Sequence, residues 1–263
     1  MTDVADLVPV VARRERLLAA LHESPQAKCD LVRSLEVSRS TVDRAVRRLE
    51  SEGLVERRES GYGLTLLGRL VFEEYRTFTE RATGLLDASP GLEALPADTT
   101  LDPAALVDAN VTVAERTMPY RPGDRHLELM EEATHVRLLS TAVGPRYVNA
   151  VRDAVVERGA RVLLGVTTAV AERLVTRHAA ALDDALATGE FELRELADVP
   201  PFSLGMFDRP SGTSFGALVY DEDAPRVYVD NDTTAAIEYG ERCFERYWTA
   251  AEPITPVAEL SSD

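Results

Sequence analysis

Between Ser38 and Val55 the chain reads SRSTVDRAVRRLESEGLV, with Arg39, Arg44, Arg47 and Arg48 inside ten residues. Guanidinium groups at this density bind phosphate oxygens, and they pair with the acceptor edge of guanine in a DNA major groove. Ser40 and Thr41 add hydroxyl donors beside them. Asp43 is the single acid among those ten residues, so the stretch carries +3 in a chain of net charge -16. A second pair, Arg57 and Arg58, follows nine residues later.

A different chemistry is available further on, in STAVGPRY and LLGVTTAV. Proline at a first helical position pre-organises the turn, and the free N–H groups there attract anions. Ser140, Thr141 and Arg146 surround one such turn, and Thr167 and Thr168 stand at the next. In open α/β sheets, ligands sit at the carboxyl ends of strands. These five residues are therefore the candidate site for a small anionic effector. The competing reading is ordinary helix capping, with Arg146 paired to a surface acid.

Residues able to do catalysis are sparse. His22, His126, His135 and His178 show no metal-ligand spacing, and Cys29 and Cys243 stand alone. No G-x-S-x-G, P-loop or glycine-rich dinucleotide turn is present. Carboxylates are abundant, but in so acidic a chain they carry little information. The expectation is no catalytic residue, no metal and no cofactor.

The elements that must position these groups follow from periodicity. VVARRERLLAALHE places Val11, Leu17, Leu18 and Leu21 on a loose helical stripe, and KCDLVRSLE places Leu31, Val32 and Leu35 on another. Ser38 is a good N-cap for a third helix, Arg39 to Glu52, ended by Gly53. On it Val42, Ala45, Val46 and Leu49 form a buried face, with Ser40, Arg44, Arg47 and Ser51 opposite. Leu54–Arg57 and Tyr62–Thr65 read as the strands of a hairpin joined by a Ser-Gly turn. This is the plan of a winged helix, whose third helix enters the major groove. A helical bundle with a solvated arginine face is the bland alternative.

After the hairpin, Leu67, Val71, Tyr75, Phe78, Ala82 and Leu85 approach a heptad seam, as a dimerisation helix has. DASPGLEALPADTTLDP mixes Pro, Gly and acids and reads as a linker. Beyond it, HVRLLSTAV, ARVLLGV and FELREL are strands separated by helices, which implies parallel crossovers. SLGMFD, FGALVY and RVYVD add an antiparallel meander, and TTAAIEYGERCFERYWTAA closes the chain as a helix. The expected fold is an α+β winged helix-turn-helix followed by an α/β domain with a mixed sheet. Its boundaries are 1–66 for the winged helix, 67–86 for the dimerisation helix, 87–103 for the linker and 104–263 for the α/β domain.

The stretch DLVRSLEVSRSTVDRAVRRLESEGLVERRESGYGLTLLGR resembles the winged helix-turn-helix of archaeal transcriptional regulators. The likeness runs through S-R-S-T-V-x-R-A-x-x-x-L-E-x-x-G-L-V and then L-T-x-x-G, over residues 9–70. The closing pattern with Asp232, Ala236, Phe244, Tyr247 and Trp248 resembles the effector domain of regulators of the methanogenesis-regulator type, over about residues 120–250. That domain is remotely similar to the phospholipase D fold. The resemblance implies a regulator that binds double-stranded DNA through Arg39, Ser40, Thr41, Arg44, Arg47, Arg48, Arg57 and Arg58. It also implies a homodimer whose C-terminal domain senses a small-molecule effector or mediates assembly. Phospholipase D chemistry needs a histidine two residues before a lysine, and the only lysine is Lys28.

Charge is unevenly spread. Residues 1–80 hold 13 basic and 14 acidic side chains, and residues 81–263 hold 16 and 31. An acidic, lysine-poor chain points to a cytoplasm of high salt, hence to a haloarchaeal source. A GC-rich genome explains the missing lysines but not the surplus of acids. No apolar run is long enough to span a membrane and the N-terminus is no signal peptide, so the expected location is cytoplasmic, with no membrane partner. Two rival classes remain: an enzyme carrying a DNA-targeting winged helix, and a DNA-bound module that docks other proteins.

Overall fold

In the computed structural model, which describes residues 3–221 and 224–254, the chain divides into two units at Glu80/Arg81. The first contains α1 (Val4–Ala12), α2 (Glu15–Glu23), α3 (Lys28–Leu35), α4 (Arg39–Ser51) and a hairpin of β1 (Val55–Arg58) and β2 (Gly61–Leu64). The long helix α5 (Leu66–Asp87) runs across the division. The stripe expected as one first helix is two, because the chain turns at Arg13 and Arg14. Ser38 caps α4 as expected, its side chain accepting from the Thr41 amide at 3.2 Å. Val42, Ala45, Val46 and Leu49 are buried, and they pack with Leu18, Leu31, Leu54 and Phe72 into one core.

The hairpin is one residue offset from expectation. Arg58 pairs with Gly61, so the turn is Glu59-Ser60. Tyr62 also exchanges two backbone hydrogen bonds with Gln26, at 2.9 and 2.8 Å, tying the wing to the α2–α3 loop. Gly61 is needed there. Its φ is 135°, and a Cβ would meet the Gln26 backbone.

The second unit is built on an eight-stranded mixed sheet, with β3 (Asn110–Val113), β4 (His135–Ser140), β5 (Arg161–Val166), β6 (Phe191–Glu195), β7 (Ser203–Arg209), β8 (Gly212–Asp221), β9 (Ala224–Asn231) and β10 (Glu252–Pro253). Their order is β10-β6-β5-β4-β7-β8-β9-β3. β4, β5 and β6 are parallel, and β7, β8 and β9 form the antiparallel meander, as the sequence pattern implies. Edge strands β3 and β10 escaped that reading.

Alternation along the strands feeds two cores. Val136 and Leu138 of β4, with Val162, Leu164 and Val166 of β5, face one layer of helices. That layer is α7 (Arg121–Glu131), α8 (Pro145–Arg152), α9 (Thr168–Arg177) and α10 (Ala179–Ala187). The last two were expected as one helix; the break falls at His178. Leu139, Leu204, Met206 and Phe215 face the other side, under α11 (Thr234–Trp248).

The expected linker 87–103 is not a free connection. Its first part forms α6 (Ser89–Leu92), and Ala88 and Gly91 are buried in the second unit, against β9 and its neighbours. Val71, Phe72 and Tyr75 of α5 belong to the core of the first unit, so that unit extends past residue 66.

Candidate nucleic-acid interface and the crossover turns

The front of α4 is built by exclusion. Its apolar face is fully committed to the core, so Arg39, Ser40, Thr41, Arg44 and Arg47 all lie exposed. Ser38 Oγ sits 2.9 Å from Ser40 Oγ and 2.8 Å from Thr41 Oγ1, which clusters three hydroxyls at the helix start. Arg44 and Arg47 each use Nε to donate to a backbone carbonyl one turn back, Ser40 at 3.3 Å and Asp43 at 3.4 Å. That holds both stems along the helix and leaves the terminal guanidinium nitrogens pointing outward.

Asp43 is taken out of play by Lys28, whose ammonium lies 2.8 Å from its carboxylate and 5.0 Å from the centre of the Tyr62 ring. The Lys28 hydrogen bond holds the Asp43 carboxyl below its usual range. Sequence reasoning counted Asp43 against the arginines and missed this partner, which sits fifteen residues away on α3.

Two of the arginines expected to bind DNA are otherwise engaged. Arg48 pairs with Glu52 at 2.7 Å, as i,i+4 neighbours on a helix do. Arg58 folds back along the wing, donating to the Leu64 carbonyl at 2.8 Å and to Glu56 at 3.0 Å. Arg57 projects from the other face of β1 and is exposed. The positive surface is therefore Arg39, Arg44, Arg47 and Arg57, with Ser40 and Thr41.

The crossover turns do not assemble the expected anion site. Arg146 is exposed and turns away to Asp124. Thr167 spends its hydroxyl capping α9, accepting from the Val170 amide at 3.3 Å. Thr168 bonds Glu195, across the sheet end. Ser140 donates to the Ala142 carbonyl at 2.7 Å, and the Thr141 amide donates to Ser203 Oγ at 3.2 Å. Capping, the competing reading, accounts for Thr167, and a surface acid accounts for Arg146. Both partner acids are more than twenty residues away in sequence, which is why the pattern could not reveal them.

Family models cover most of the chain. Residues 119–250, just over half of it, match the model described as the methanogenesis regulatory protein FilR1, middle domain. The chain belongs to the FilR1 family. Residues 1–84 match the model described as the HVO_A0261 N-terminal domain. The FilR1 match takes in every strand of the large sheet except the edge strands β3 and β10. It begins just before α7 and ends after α11, so the crossover turns lie inside it.

No curated protein matches the chain. Among solved structures it is similar to TrmBL2, an archaeal chromatin protein, at 17% identity and a TM-score of 0.45, over 96% of this chain and 100% of that one. It is also similar to Nuc, a phospholipase D family member from Salmonella typhimurium, at 12% identity and a TM-score of 0.43, over 56% of this chain and 99% of that one. NucT from Helicobacter pylori gives 10% identity and 0.38, over 56% and 99%. None of these scores is high enough to establish a shared fold. Among the described residues, no helix is long and apolar enough to cross a membrane, and no cluster of His, Cys, Asp or Glu could hold a metal ion.

Proposed function

We propose that this chain is an archaeal transcription regulator that works in the cytoplasm and binds double-stranded DNA through α4 and the wing. The observation that carries the reading is the exposed front of α4. Arg39, Arg44 and Arg47 stand there with two hydroxyls, while the one acid among them is neutralised by Lys28. A helix with that front and a committed apolar back is what major-groove reading requires. Family membership supports a regulatory role. The second unit is then the input domain, which receives a signal and has no catalytic duty. The sole lysine is Lys28 of the first unit, so a phospholipase D-type histidine–lysine pair cannot form.

A homodimer fits the same reading, since paired half-sites are the usual targets of this plan. The exposed apolar residues of α5 overlap the expected seam in part. Val71 and Tyr75 pack in their own unit, whereas Leu66, Leu67, Leu70 and Phe78 are exposed along α5.

The test begins by mapping the genomic fragments the full chain retains, then measuring affinity for one of them by fluorescence anisotropy. Arg44→Ala and Arg47→Ala are each expected to cost about 1–3 kcal/mol at that site, and Arg57→Ala to weaken all sequences alike. A double Arg44→Ala/Arg47→Ala variant that binds as tightly as the wild type overturns the assignment of α4.

A further inference from the structure

The helix side of the large sheet is incompletely filled. A cavity lies between β4, β5 and β8 on the sheet side and α7 to α10 on the other. The space inside it that water-sized molecules can occupy is about 70 Å³, and it opens to solvent at one mouth. Protein interiors have few voids larger than a water molecule, so a space of this size needs an explanation.

Its walls are apolar. Leu138, Leu164 and Val166 rise from the sheet, and Val148, Leu174 and Leu182 close it from the helices. The polar groups are few and gathered. Ser140 at the end of β4 lies beside Ser203 at the start of β7, and Tyr220 of β8 reaches both Ser203 and Tyr147. Deeper in, His126 is 6% exposed, and its Nδ1 has no hydrogen-bond partner among the described residues. This is the make-up of a small-molecule site: an apolar cleft with a few placed polar groups. A mere packing fault between sheet and helices would have no reason to collect two serines, two tyrosines and an unsatisfied imidazole.

We propose that this cavity binds a neutral, largely apolar small molecule carrying one hydroxyl or carbonyl group. The proposal deepens the reading of the second unit as an input domain and rests on it for its regulatory meaning. Charge decides against an ion. Among the described residues, no Asp, Glu or Lys lines the cavity. Arg152, the one arginine among them, is held by Asp153, Glu157 and Asp184. Burial pushes the His126 imidazole down to about 4, so it is neutral at cytoplasmic pH and offers a nitrogen to hydrogen-bond, not a charge. An anion would enter apolar surroundings without a counter-charge, which is strongly disfavoured. The site is thus the reverse, in ligand charge, of the one the crossover turns promised. It shares only Ser140 with that set.

The experiment uses the full chain and three probes of one shape: 4-ethylphenol, ethylbenzene and 4-ethylbenzoate. Binding is measured by calorimetry and by the shift in thermal midpoint. Two variants fill the cavity, Ala181→Phe and Val148→Phe, and both positions are only half-buried, so each tolerates a larger side chain at the rim. Saturable binding of 4-ethylphenol is expected, at least tenfold tighter than 4-ethylbenzoate and tighter than ethylbenzene, with a tenfold or greater loss in each filled variant that folds. Magnetisation transfer from the Tyr147 and Tyr220 rings to 4-ethylphenol places the probe independently of either variant.

No saturable binding of the neutral probes, transfer from neither ring, or equal binding of 4-ethylbenzoate would each overturn the proposal. DNA affinity is measured on the same preparations. A chain that holds DNA but no probe loses only this inference. One that holds the probe but no DNA keeps the site and loses the proposed function.

Discussion

Gly68 occupies the last position of the L-T-x-x-G pattern, and the structure gives it a definite task. Thr65 Oγ1 donates to the Gly53 carbonyl at 2.6 Å and accepts from the Gly68 amide at 2.9 Å. The Thr65 amide donates to the Leu54 carbonyl at 3.0 Å. The first turn of α5 is thereby pressed onto Leu54, the residue before β1. A Cβ on Gly68 would lie far inside van der Waals contact with the Leu54 carbonyl oxygen and 2.7 Å from its carbon.

For Gly68→Ala, helix propensity gains about 1 kcal/mol. Overpacking costs about 1–3 kcal/mol, and the upper end applies because the obstacle is backbone and cannot rotate aside. Displacing α5 also strains two Thr65 hydrogen bonds worth about 1 kcal/mol each. The net loss is about 2–4 kcal/mol, and with a urea slope of about 2 kcal/mol/M the midpoint falls by roughly one to two molar. The sole tryptophan, Trp248, lies in the second unit, so its fluorescence follows that unit while far-ultraviolet circular dichroism also follows the helical first unit. The dichroism transition should move and the fluorescence transition stay. An alanine variant as stable as the wild type, or more so, would refute the close approach and with it the placement of the wing.

Acid should loosen the second unit through His126. Its folded-state pKa of about 4 lies below the ordinary 6.5, so the stability it contributes is complete above pH 6.5 and declines as pH falls towards 4, by an amount on the order of 3 kcal/mol. His135 is also lowered, by burial and by Arg137, and acts in the same direction. The Trp248 transition should therefore weaken between pH 6.5 and 5, and His126→Leu should flatten that limb; an unchanged slope in the variant removes His126 as the cause. Replacing Leu67 and Phe78 together by Glu should give monomers in sedimentation, since both are exposed on α5; a variant that remains dimeric moves the interface elsewhere. Affinity for DNA should fall only gently with salt. Four arginines, Arg39, Arg44, Arg47 and Arg57, that each neutralise a phosphate predict a log–log slope of about -3.6 per winged helix, and relief of repulsion by the acidic second unit makes it shallower. A slope steeper than that between about 0.2 and 2 M potassium chloride sinks the electrostatic argument.

The winged helix was legible because local rules decide it. Ser38 caps, four apolar residues at helical spacing bury, and the arginines have nowhere else to face. The parallel strands and the meander were legible for the same reason, through strand periodicity. What failed was non-local. The segment 87–103 has the composition of a linker, yet Ala88 and Gly91 are fixed by contacts with β9, more than 130 residues away. The helix α7 lies in a polar, proline-bearing stretch, and its buried side, with His126, Leu129 and Met130, shows only once the sheet is formed. The cavity draws its lining from many separate elements, so no single window of sequence contains it.

The same distinction explains how a nearly neutral unit presents a positive front. Asp43 lies one turn from Arg39 and one turn from Arg47. Left alone, it would form an i,i+4 ion pair with either, and the arginine so engaged would be lost from the surface. Lys28 forestalls this. From the start of α3 its ammonium reaches Asp43 at 2.8 Å and lies over the Tyr62 ring, so it is held by an acid and an aromatic face together. An ammonium suits this place better than a guanidinium, because it is a compact point charge on a flexible stem and does not need a planar fork of acceptors. Other pairs keep their charges off the front: Arg48 with Glu52, Arg58 with Glu56, and Arg69 with Glu73. Thirteen bases and fourteen acids over residues 1–80 thus leave a local surplus where α4 faces outward. The one lysine in a chain of arginines holds the acid that would otherwise cancel that surplus.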